Sequence, residues 1–202
     1  MDAFLASERP DPRLGLSLVV PIEGIEEGYR ALVRRISRIE PGQYYYPPSD
    51  LHATVFDFLQ ARAGYSSEAA LESAFLDIAL EALASERSFA IELRGIVFSS
   101  SAGMIKGYDG GALTRIRERI RSLMRLRGLA NDERYASESA HVTFTRFRGS
   151  LADPAALCAA IGELRESELG EAAATRLELV EHDWYNSAGT RRIIGEIPLE
   201  AP

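Results

Sequence analysis

The chain of 202 residues has little of what builds covalent or metal cross-links. It holds one cysteine, Cys158, which excludes an internal disulfide framework and a cysteine-based zinc site. Because Cys158 lies in an alanine-rich helical stretch, we expect it to be a buried, unreactive thiol. Long hydrophobic runs are lacking too: the first apolar segment, residues 14–22, is too short to span a bilayer and lacks the basic lead of a signal peptide. We therefore expect a cytoplasmic protein with no membrane partner.

Lysine is nearly absent. Lys106 is the one lysine among 23 basic residues, and acidic residues outnumber basic ones to give a formal net charge of −7. A field of this sign repels long polyanions, which disfavours a nucleic-acid binder without sequence preference. A small nucleotide or an RNA end in a local pocket is still compatible with this charge. The apolar fraction of 46% is typical of globular proteins, and the length allows one large domain or two small lobes that share a core.

Histidine is also scarce, and the pattern around it is the main signal in the sequence. Two of the three histidines open the same frame, His-x-Thr-hydrophobic (HxT), at residues 52–55 (HATV) and 141–144 (HVTF). With six threonines in the chain, a given histidine has roughly a 3% chance of a threonine two places on. Two of three histidines would share this spacing by accident about three times in a thousand. The pair is therefore a specific signal, whereas a single HxT frame would not be.

Each HxT motif opens a short β-like run, and strand geometry explains why the spacing matters. Residues i and i+2 of a strand point to the same face, so each run presents an imidazole beside a hydroxyl while its intervening residues enter a core. Two such units suit phosphoryl transfer without a metal, because one histidine can accept a proton from the attacking oxygen and the other can protonate the leaving oxygen. A metal hydrolase has less support, since the frames lack the HxH, HxxxH or carboxylate-rich spacing of metal sites.

Hydrophobic periodicity predicts helices and strands in two similar halves. The predicted helices span residues 25–39, 68–85, 109–127 and 153–168, with Ser67 and Asp153 as N-caps and Pro154 in the first turn. The predicted strands span residues 14–20, 51–59, 89–98, 103–108, 141–147, 175–185 and 191–198. From the first helix onward, each half has the order helix, HxT strand, helix, two strands. Such a duplication has a pseudo-twofold axis, which would bring the two motif histidines face to face across a cleft.

The paired motifs and this element order resemble the 2H phosphoesterase superfamily, which contains bacterial 2′-5′ RNA ligases and cyclic nucleotide phosphodiesterases. The resemblance covers nearly the whole chain, from about residue 14 to 199. It implies an α+β, bilobal, pseudo-twofold duplicated fold of the LigT-like kind, with antiparallel sheets lining a central cleft and helices outside. Residues 1–202 would form a single domain made of two pseudo-symmetric lobes. It further implies cleavage of phosphodiesters without a metal or other cofactor, commonly of 2′,3′-cyclic phosphates at nucleotide or RNA ends.

The resemblance carries catalytic roles onto four residues, His52, Thr54, His141 and Thr143. Imidazoles suit acid and base roles because their ordinary pKa is near 6.5. We take His141 as the base and His52 as the acid, although the sequence does not distinguish the two assignments. The two threonine hydroxyls would hydrogen-bond the non-bridging phosphate oxygens, where transition-state charge is held by fixed donors. No metal ligand is expected.

Aromatic side chains near the motifs are the candidates for binding a nucleotide base. They are Tyr46 in the Tyr44–Tyr46 loop, Phe56, and Trp184 with Tyr185 near the last turn. Period-2 counting places Phe56, like Thr145, on the cleft face of its strand, although packing explains these aromatic residues as well.

The remaining candidates near the motifs are basic residues and the third histidine. Lys106 or Arg146 could hold phosphate, but alternation turns Arg146 away from His141. His182 has no threonine two places on, so we expect a structural histidine.

Two functions are compatible with these residues. The first is a metal-independent phosphodiesterase acting on 2′,3′-cyclic phosphate or 2′-5′ phosphodiester bonds of nucleotides or RNA ends, with the two histidines as general acid and base. The second is a non-catalytic module that binds a nucleotide or RNA end in the same cleft. Both predict a small nucleotide or an RNA terminus with a cyclic phosphate as partner, and a monomer as the default state.

Overall fold

The strands of the protein form one curled sheet. A computed structural model describes residues 2–7, 10–66, 68–130, 132–133 and 138–201. The strands are β1 (Leu14–Pro21), β2 (Tyr44–Tyr45), β3 (His52–Arg62), β4 (Phe89–Phe98), β5 (Ala102–Tyr108), β6 (Ala140–Arg146), β7 (Glu168–Ala174), β8 (Arg176–Asp183) and β9 (Arg192–Pro198). The helices are α1 (Ala3–Ser7), α2 (Glu26–Ile39), α3 (Ala69–Leu83), α4 (Ala112–Leu126) and α5 (Pro154–Glu163), and a 3₁₀ turn covers Pro48–Asp50.

The order of the strands reveals the duplication. Hydrogen bonding gives the path β7-β4-β5-β6-β3-β1-β8-β9, with β2 added beside β6, and every pairing between these strands is antiparallel. We call β3-β1-β8-β9 the first lobe and β6-β5-β4-β7 the second lobe. The HxT strands β3 and β6 meet at the centre, where Ala53 pairs with Val142. The predicted α+β, bilobal, pseudo-twofold fold is confirmed, and the strands of its two lobes join into one continuous sheet.

Helices cover the outside of the sheet with their apolar faces. Helix α2 buries Tyr29, Leu32 and Ile36, which recur at the spacing of one helical face. Helices α3 and α4 pack together, whereas α2 contacts α5 and β7. No helix in the described ranges combines the length and the apolar character needed to cross a bilayer.

The elements depart from the sequence-based prediction mainly after α5. That helix begins as predicted, with the Asp153 side chain accepting from the Ala156 amide, but it ends at Glu163 rather than near residue 168. Residues 168–174 (ELGEAAA) instead form β7, an unpredicted strand that pairs with β4. The segment has neither β-branched nor aromatic residues, so its strand conformation comes from tertiary pairing rather than from local propensity.

Two further predictions concern single residues of the helices α5 and α3. The expected burial of Cys158 is wrong, because the thiol is exposed on the outer side of α5. Leu157 and Ala160 are the buried residues of this helix and face the core. Cys158, which follows Leu157, therefore points toward solvent. The predicted N-cap Ser67 lies outside the described residues, and Glu68 occupies the N-cap position of α3.

Helix α2 approaches β7 through a glycine. A Cβ atom added at Gly28 would lie 2.1 Å from the carbonyl oxygen of Leu169, well inside van der Waals contact. The neighbouring atoms are backbone and cannot move aside as a flexible side chain would. Gly28 therefore permits a helix–strand contact that any side chain would push apart.

We expect Gly28→Ala to lower the free energy of unfolding by about 1–3 kcal/mol, because overpacking outweighs the better helix propensity of alanine. Gly162→Ala is the matched control: Gly162 is also helical, and an added Cβ there meets nothing within 4 Å. This control should be neutral or stabilising by up to about 1 kcal/mol. Urea unfolding of both variants measures the difference, and equal stability would contradict the close-contact argument.

Candidate active site

The strand that carries the first HxT motif contains a β-bulge inside the motif. The pairing of β3 with β1 shifts by one residue between Thr54 and Phe56, so Val55 is an extra residue in the strand. Beyond the bulge the alternation of faces changes phase. Phe56 is therefore turned into the core, where it is 1% exposed, and Asp57 faces the cleft. The predicted binding role of Phe56 is wrong for this reason.

The second HxT strand contains the same bulge at the same motif position. The pairing of β6 with β5 shifts between Thr143 and Thr145, which makes Phe144 the extra residue. Thr145 is buried as a result, with its hydroxyl donating to the backbone oxygen of Tyr44, and Arg146 lines the cleft. The expectation that Arg146 faces away from His141 is therefore wrong, because simple alternation takes no account of the bulge.

The four residues of the predicted catalytic set line one cleft of about 850 Å³. The central pairing of Ala53 with Val142 explains how they meet. Because the two strands are antiparallel, this pairing places His52 opposite Thr143 and Thr54 opposite His141. The two imidazoles are thus diagonal neighbours on one face, where Cβ atoms are typically about 7–8 Å apart. The structure brings His52, Thr54, His141 and Thr143 together as the sequence predicted.

A backbone contact fixes the tautomer of His52. Its Nδ1 lies 2.7 Å from the backbone oxygen of Asp50. Because a carbonyl oxygen only accepts, Nδ1 carries a proton, and Nε2 of the neutral ring is free to accept one. Burial lowers the pKa of His52 to about 4, assisted by the charges of His182 and Arg191. His52 is therefore neutral near pH 7.

His141 has a different electrostatic setting. Its Nδ1 lies 3.1 Å from the hydroxyl of Ser139, a group that can donate or accept. Burial lowers the pKa of His141, and the nearby charges of Arg117 and Arg146 lower it further. The Asp57 carboxylate opposes these effects, but the pKa is lowered overall. Of the two motif histidines, His141 is the one with a carboxylate that favours its protonated form.

Arg117 ties the two motif strands together and is a residue that the sequence analysis missed. It extends from α4 and is 1% exposed. Its Nε donates to the backbone oxygen of Val55 at 2.8 Å, and its Nη2 donates to those of Thr54 and Ser139 at 3.0 Å. The carbonyl groups beside the β3 bulge are thereby satisfied. The position was visible as the inward-facing helical stripe 113–117–120–124, but an arginine at such a position has no simple sequence signature.

The predicted aromatic residues divide between the cleft and the core. Tyr46 and Trp184 line the cleft, and the Tyr46 hydroxyl accepts from Nε of Arg146 at 2.7 Å. The Arg146 guanidinium also lies 5.3 Å from the centre of the Trp184 ring. Tyr185 does not line the cleft: it is 9% exposed, and its hydroxyl donates to Asp2. The predicted binding role of Tyr185 is wrong because the chain turns between the two aromatic residues.

Three further polar residues line the cleft. His182, which we expected to be structural, lines the cleft. All three histidines of the chain therefore converge there. Asn186 also lines it, and its side-chain amide is buried without a hydrogen-bond partner. Lys106 is the cross-strand neighbour of His141 and forms an ion pair with Glu166 at 3.1 Å. Across the ranges that the structure describes, no three His, Cys, Asp or Glu side chains are placed to share a metal ion.

Comparison with known proteins tests the fold independently. No protein-family model matches the chain, and no curated protein matches its sequence. Solved structures do match. TT0787 of Thermus thermophilus aligns over 94% of this chain and 98% of its own, with a TM-score of 0.64 and 16% identity. E. coli LigT complexed with 3′-AMP aligns over 93% of this chain and 99% of its own, with a TM-score of 0.63 and 14% identity.

The chain has the LigT fold. A structure described as a phosphoesterase agrees, with a TM-score of 0.62 at 15% identity over 95% of this chain and 99% of its own. The resemblance to 2H phosphoesterases drawn from the HxT motifs therefore extends to the fold. In this LigT-fold chain both motifs lie on the central strands and face one cleft.

Arg117 should be essential to the stability of this LigT fold. We expect Arg117→Met to lower the free energy of unfolding by about 2–4 kcal/mol, because one buried and two partly buried carbonyl oxygens lose their donor. Arg125→Met is the matched control on the same helix, since Arg125 is exposed, and it should change stability by less than about 0.5 kcal/mol. Chemical unfolding measures both, and a tolerated Arg117→Met would contradict the bridging role.

Proposed function

We propose that the protein belongs to the 2H phosphoesterase superfamily. As its function we propose a metal-independent phosphodiesterase acting on 2′,3′-cyclic phosphate or 2′-5′ phosphodiester bonds of nucleotides or RNA ends. The observation that carries the proposal is the convergence of both HxT pairs on one cleft, with the histidines diagonal across the central strand pair. A LigT structure with the same fold holds 3′-AMP, which is a small nucleotide of the size that this cleft would take.

The two histidines would act as a general base and a general acid. His52 is neutral near pH 7 and keeps Nε2 unprotonated, so it is the better base. His141 has the Asp57 carboxylate nearby, so it is the better acid. This assignment is the reverse of our expectation from the sequence. A group with a pKa of about 4 would be protonated in only a small fraction of molecules at neutral pH and would make a poor acid.

Hydrolysis then follows from the arrangement. His52 takes a proton from a water molecule, which attacks phosphorus in line with the leaving ribose oxygen, and His141 protonates that oxygen as it departs. The hydroxyls of Thr54 and Thr143 donate to the non-bridging oxygens, where fixed donors stabilise the charge of the transition state. Arg146 supplies a cation on the cleft wall, in the position that the second bulge creates. With a hydroxyl of a second RNA end in place of water, the same proton transfers open the cyclic phosphate and join the two ends, so reversible ligation belongs to this proposal.

The surroundings of the cleft favour a small substrate. Its volume of about 850 Å³ lies within the usual range for sites of small molecules and cofactors. Trp184 is half-buried and offers aromatic surface for a base, and stacking contributes about 1–3 kcal/mol per base. Tyr46 is only 3% exposed, so it contributes through its hydroxyl, which accepts from Arg146. The net charge of −7 opposes long nucleic acids, so only an end of the chain would enter. Part of the proposal is that residues 1–202 act as one domain and as a cytoplasmic monomer.

The alternative function is a module that binds nucleotides or RNA ends without turning them over. It shares the cleft, the threonines and the aromatic surface with the enzyme. It would not need one histidine held neutral beside a second one whose protonated form a carboxylate helps to retain. The unequal surroundings of His52 and His141 therefore favour the enzyme. Binding of cyclic phosphates without any hydrolysis would favour the module.

Replacing either motif histidine should abolish most activity. We expect His52→Asn and His141→Asn each to lower kcat by about 10²- to 10⁴-fold on 2′,3′-cyclic mononucleotides, since each removes a proton-transfer group. Activity of the unmodified protein should persist in EDTA. The assay is release of nucleoside monophosphate, followed by chromatography, together with unfolding curves to verify that both variants fold.

A substrate with a good leaving group separates the two roles. A p-nitrophenyl phosphodiester of a nucleotide releases p-nitrophenolate, a leaving group that needs little help from an acid. His141→Asn should therefore recover much of the lost rate on this substrate. His52→Asn should not recover, because the attacking water still needs a base. Equal recovery of both variants would contradict the assignment, and full activity of either on cyclic substrates would contradict the two-histidine mechanism.

The pH dependence of kcat/KM should be a bell with its optimum on the acid side of pH 6.5. The rate rises as pH increases through about 4, where His52 loses its proton and becomes a base. It falls as His141 loses its proton, and because its pKa is lowered this happens below the usual 6.5. Initial rates from pH 3.5 to 8 in constant ionic strength provide the profile, and an optimum above pH 7.5 would be inconsistent with these pKa directions.

A further inference from the structure

The third histidine belongs to a chain of hydrogen bonds that the mechanism above does not use. It links three adjacent strands: Asp57 in β3, Ser17 in β1 and His182 in β8. Ser17 Oγ lies 2.6 Å from Oδ1 of Asp57 and 2.8 Å from Nε2 of His182. Ser17 itself is 1% exposed, while Asp57 and His182 both line the cleft. The two ends of the chain therefore reach the site where phosphate would bind.

The number of protons in this chain follows from its contacts. Nδ1 of His182 lies 2.6 Å from the backbone oxygen of Asp183, which only accepts, so Nδ1 carries a proton. The Ser17 hydroxyl has a single proton and makes two short contacts. It donates that proton to Asp57. The short contact with Nε2 of His182 then requires Nε2 to donate, which makes His182 an imidazolium. The pair of Asp57 and His182 therefore holds one proton more than a carboxylate and a neutral imidazole.

The charged groups around His182 act in both directions. Burial lowers the pKa of His182, and Arg191 lowers it as well. The charges of Asp57 and Asp183 and the contact with the Asp183 backbone oxygen raise it. Taken together these effects lower the pKa of His182. A proton on His182 therefore depends on the short contacts through Ser17 to Asp57.

The proton shared by Asp57 and His182 would reduce the repulsion between the cleft and an anionic substrate. Asp57 faces the space where an anionic phosphodiester would lie, and a bare carboxylate there would repel it. With the proton shared through Ser17, Asp57 and His182 together are neutral. Removal of that proton would leave a full negative charge close to the phosphate and to His141.

We propose that Asp57, Ser17 and His182 form a proton-sharing chain in which a proton on His182 balances the charge of the Asp57 carboxylate, so that the cleft accepts a phosphate anion. This inference rests on the proposed function for its purpose, but not for its test. The three are positioning residues, because they act through charge on the phosphate site and on His141.

The chain predicts opposite shifts of His141 in two variants. Asp57→Asn removes the carboxylate that favours protonated His141, together with the proton that balances it on His182. Because Asp57 is the member of the pair that shifts His141, the pKa of His141 should fall. Ser17→Ala breaks the link, leaves Asp57 ionised and His182 neutral, and should raise the pKa of His141. We expect shifts of roughly half a unit to one unit in each direction, typical of one charge at this range in a protein.

Histidine NMR titration measures these shifts without turnover, and with three histidines in the chain the ring signals are few enough to assign by single variants. Ser122→Ala, an α4 serine whose hydroxyl donates to the backbone oxygen of Glu118, is the matched control and should leave His141 unchanged. Shifts in the two predicted directions support the chain. Shifts of the same sign, or no shift in either variant, overturn it. If Ser17→Ala does not fold, His182→Asn breaks the link from the other end and must raise the pKa of His141.

Binding of inorganic phosphate at pH 7 supplies the second measurement. Ser17→Ala should weaken it by about threefold or more, because the charge of Asp57 is no longer balanced by a proton on His182, whereas Asp57→Asn should bind phosphate at least as tightly as the unmodified protein. Equal affinity in all three proteins overturns the proposal. Failure of the enzyme on every cyclic phosphate would count against the proposed function alone, since neither measurement needs catalysis.

Discussion

The site depends on one antiparallel contact, the pairing of Ala53 with Val142 at the centre of the sheet. These two small apolar residues are fully buried, and each is flanked by the histidine and threonine of its motif. Because side chains alternate along a strand, burying Ala53 and Val142 turns all four polar groups toward the opposite face. A shift of this register by one residue would send both imidazoles into the core. The same hydrophobic contact that joins the lobes therefore also assembles the cleft.

The matched bulges extend this arrangement beyond the motifs. In each HxT strand the motif's own hydrophobic residue, Val55 or Phe144, is the extra residue, and the change of phase brings Asp57 or Arg146 into the cleft. The pseudo-twofold relation thus places a carboxylate and a guanidinium at equivalent positions. At these two positions the lobes are alike in backbone and opposite in charge. Both charges act on His141, whereas the charges that shift His52 are those of His182, Arg191 and His141, so the two histidines have unequal surroundings.

Much of this could be predicted from the sequence, and the failures have physical causes. Strong periodicity predicted four helices and seven strands near their observed positions, and the HxT pair predicted the convergence of the four polar residues. Strand β7 was missed because residues 168–174 pair with β4 without any local preference for a strand. Phe56 and Arg146 were assigned to the wrong faces because a bulge depends on the neighbouring strand, which single-strand counting does not include. The bridging role of Arg117 depends on carbonyl groups that only the folded sheet brings together.

Helices α2 and α4 each connect strands of one lobe but pack against the other lobe, and this limits how the molecule can be divided. Helix α2 connects β1 to β3 of the first lobe but packs on β7 of the second, with Gly28 at the contact. Helix α4 connects β5 to β6 of the second lobe but sends Arg117 to the β3 backbone of the first. Each half thus shields the other's sheet from water. A break in the chain between β3 and β4 would therefore leave contact surfaces on both fragments without their partners.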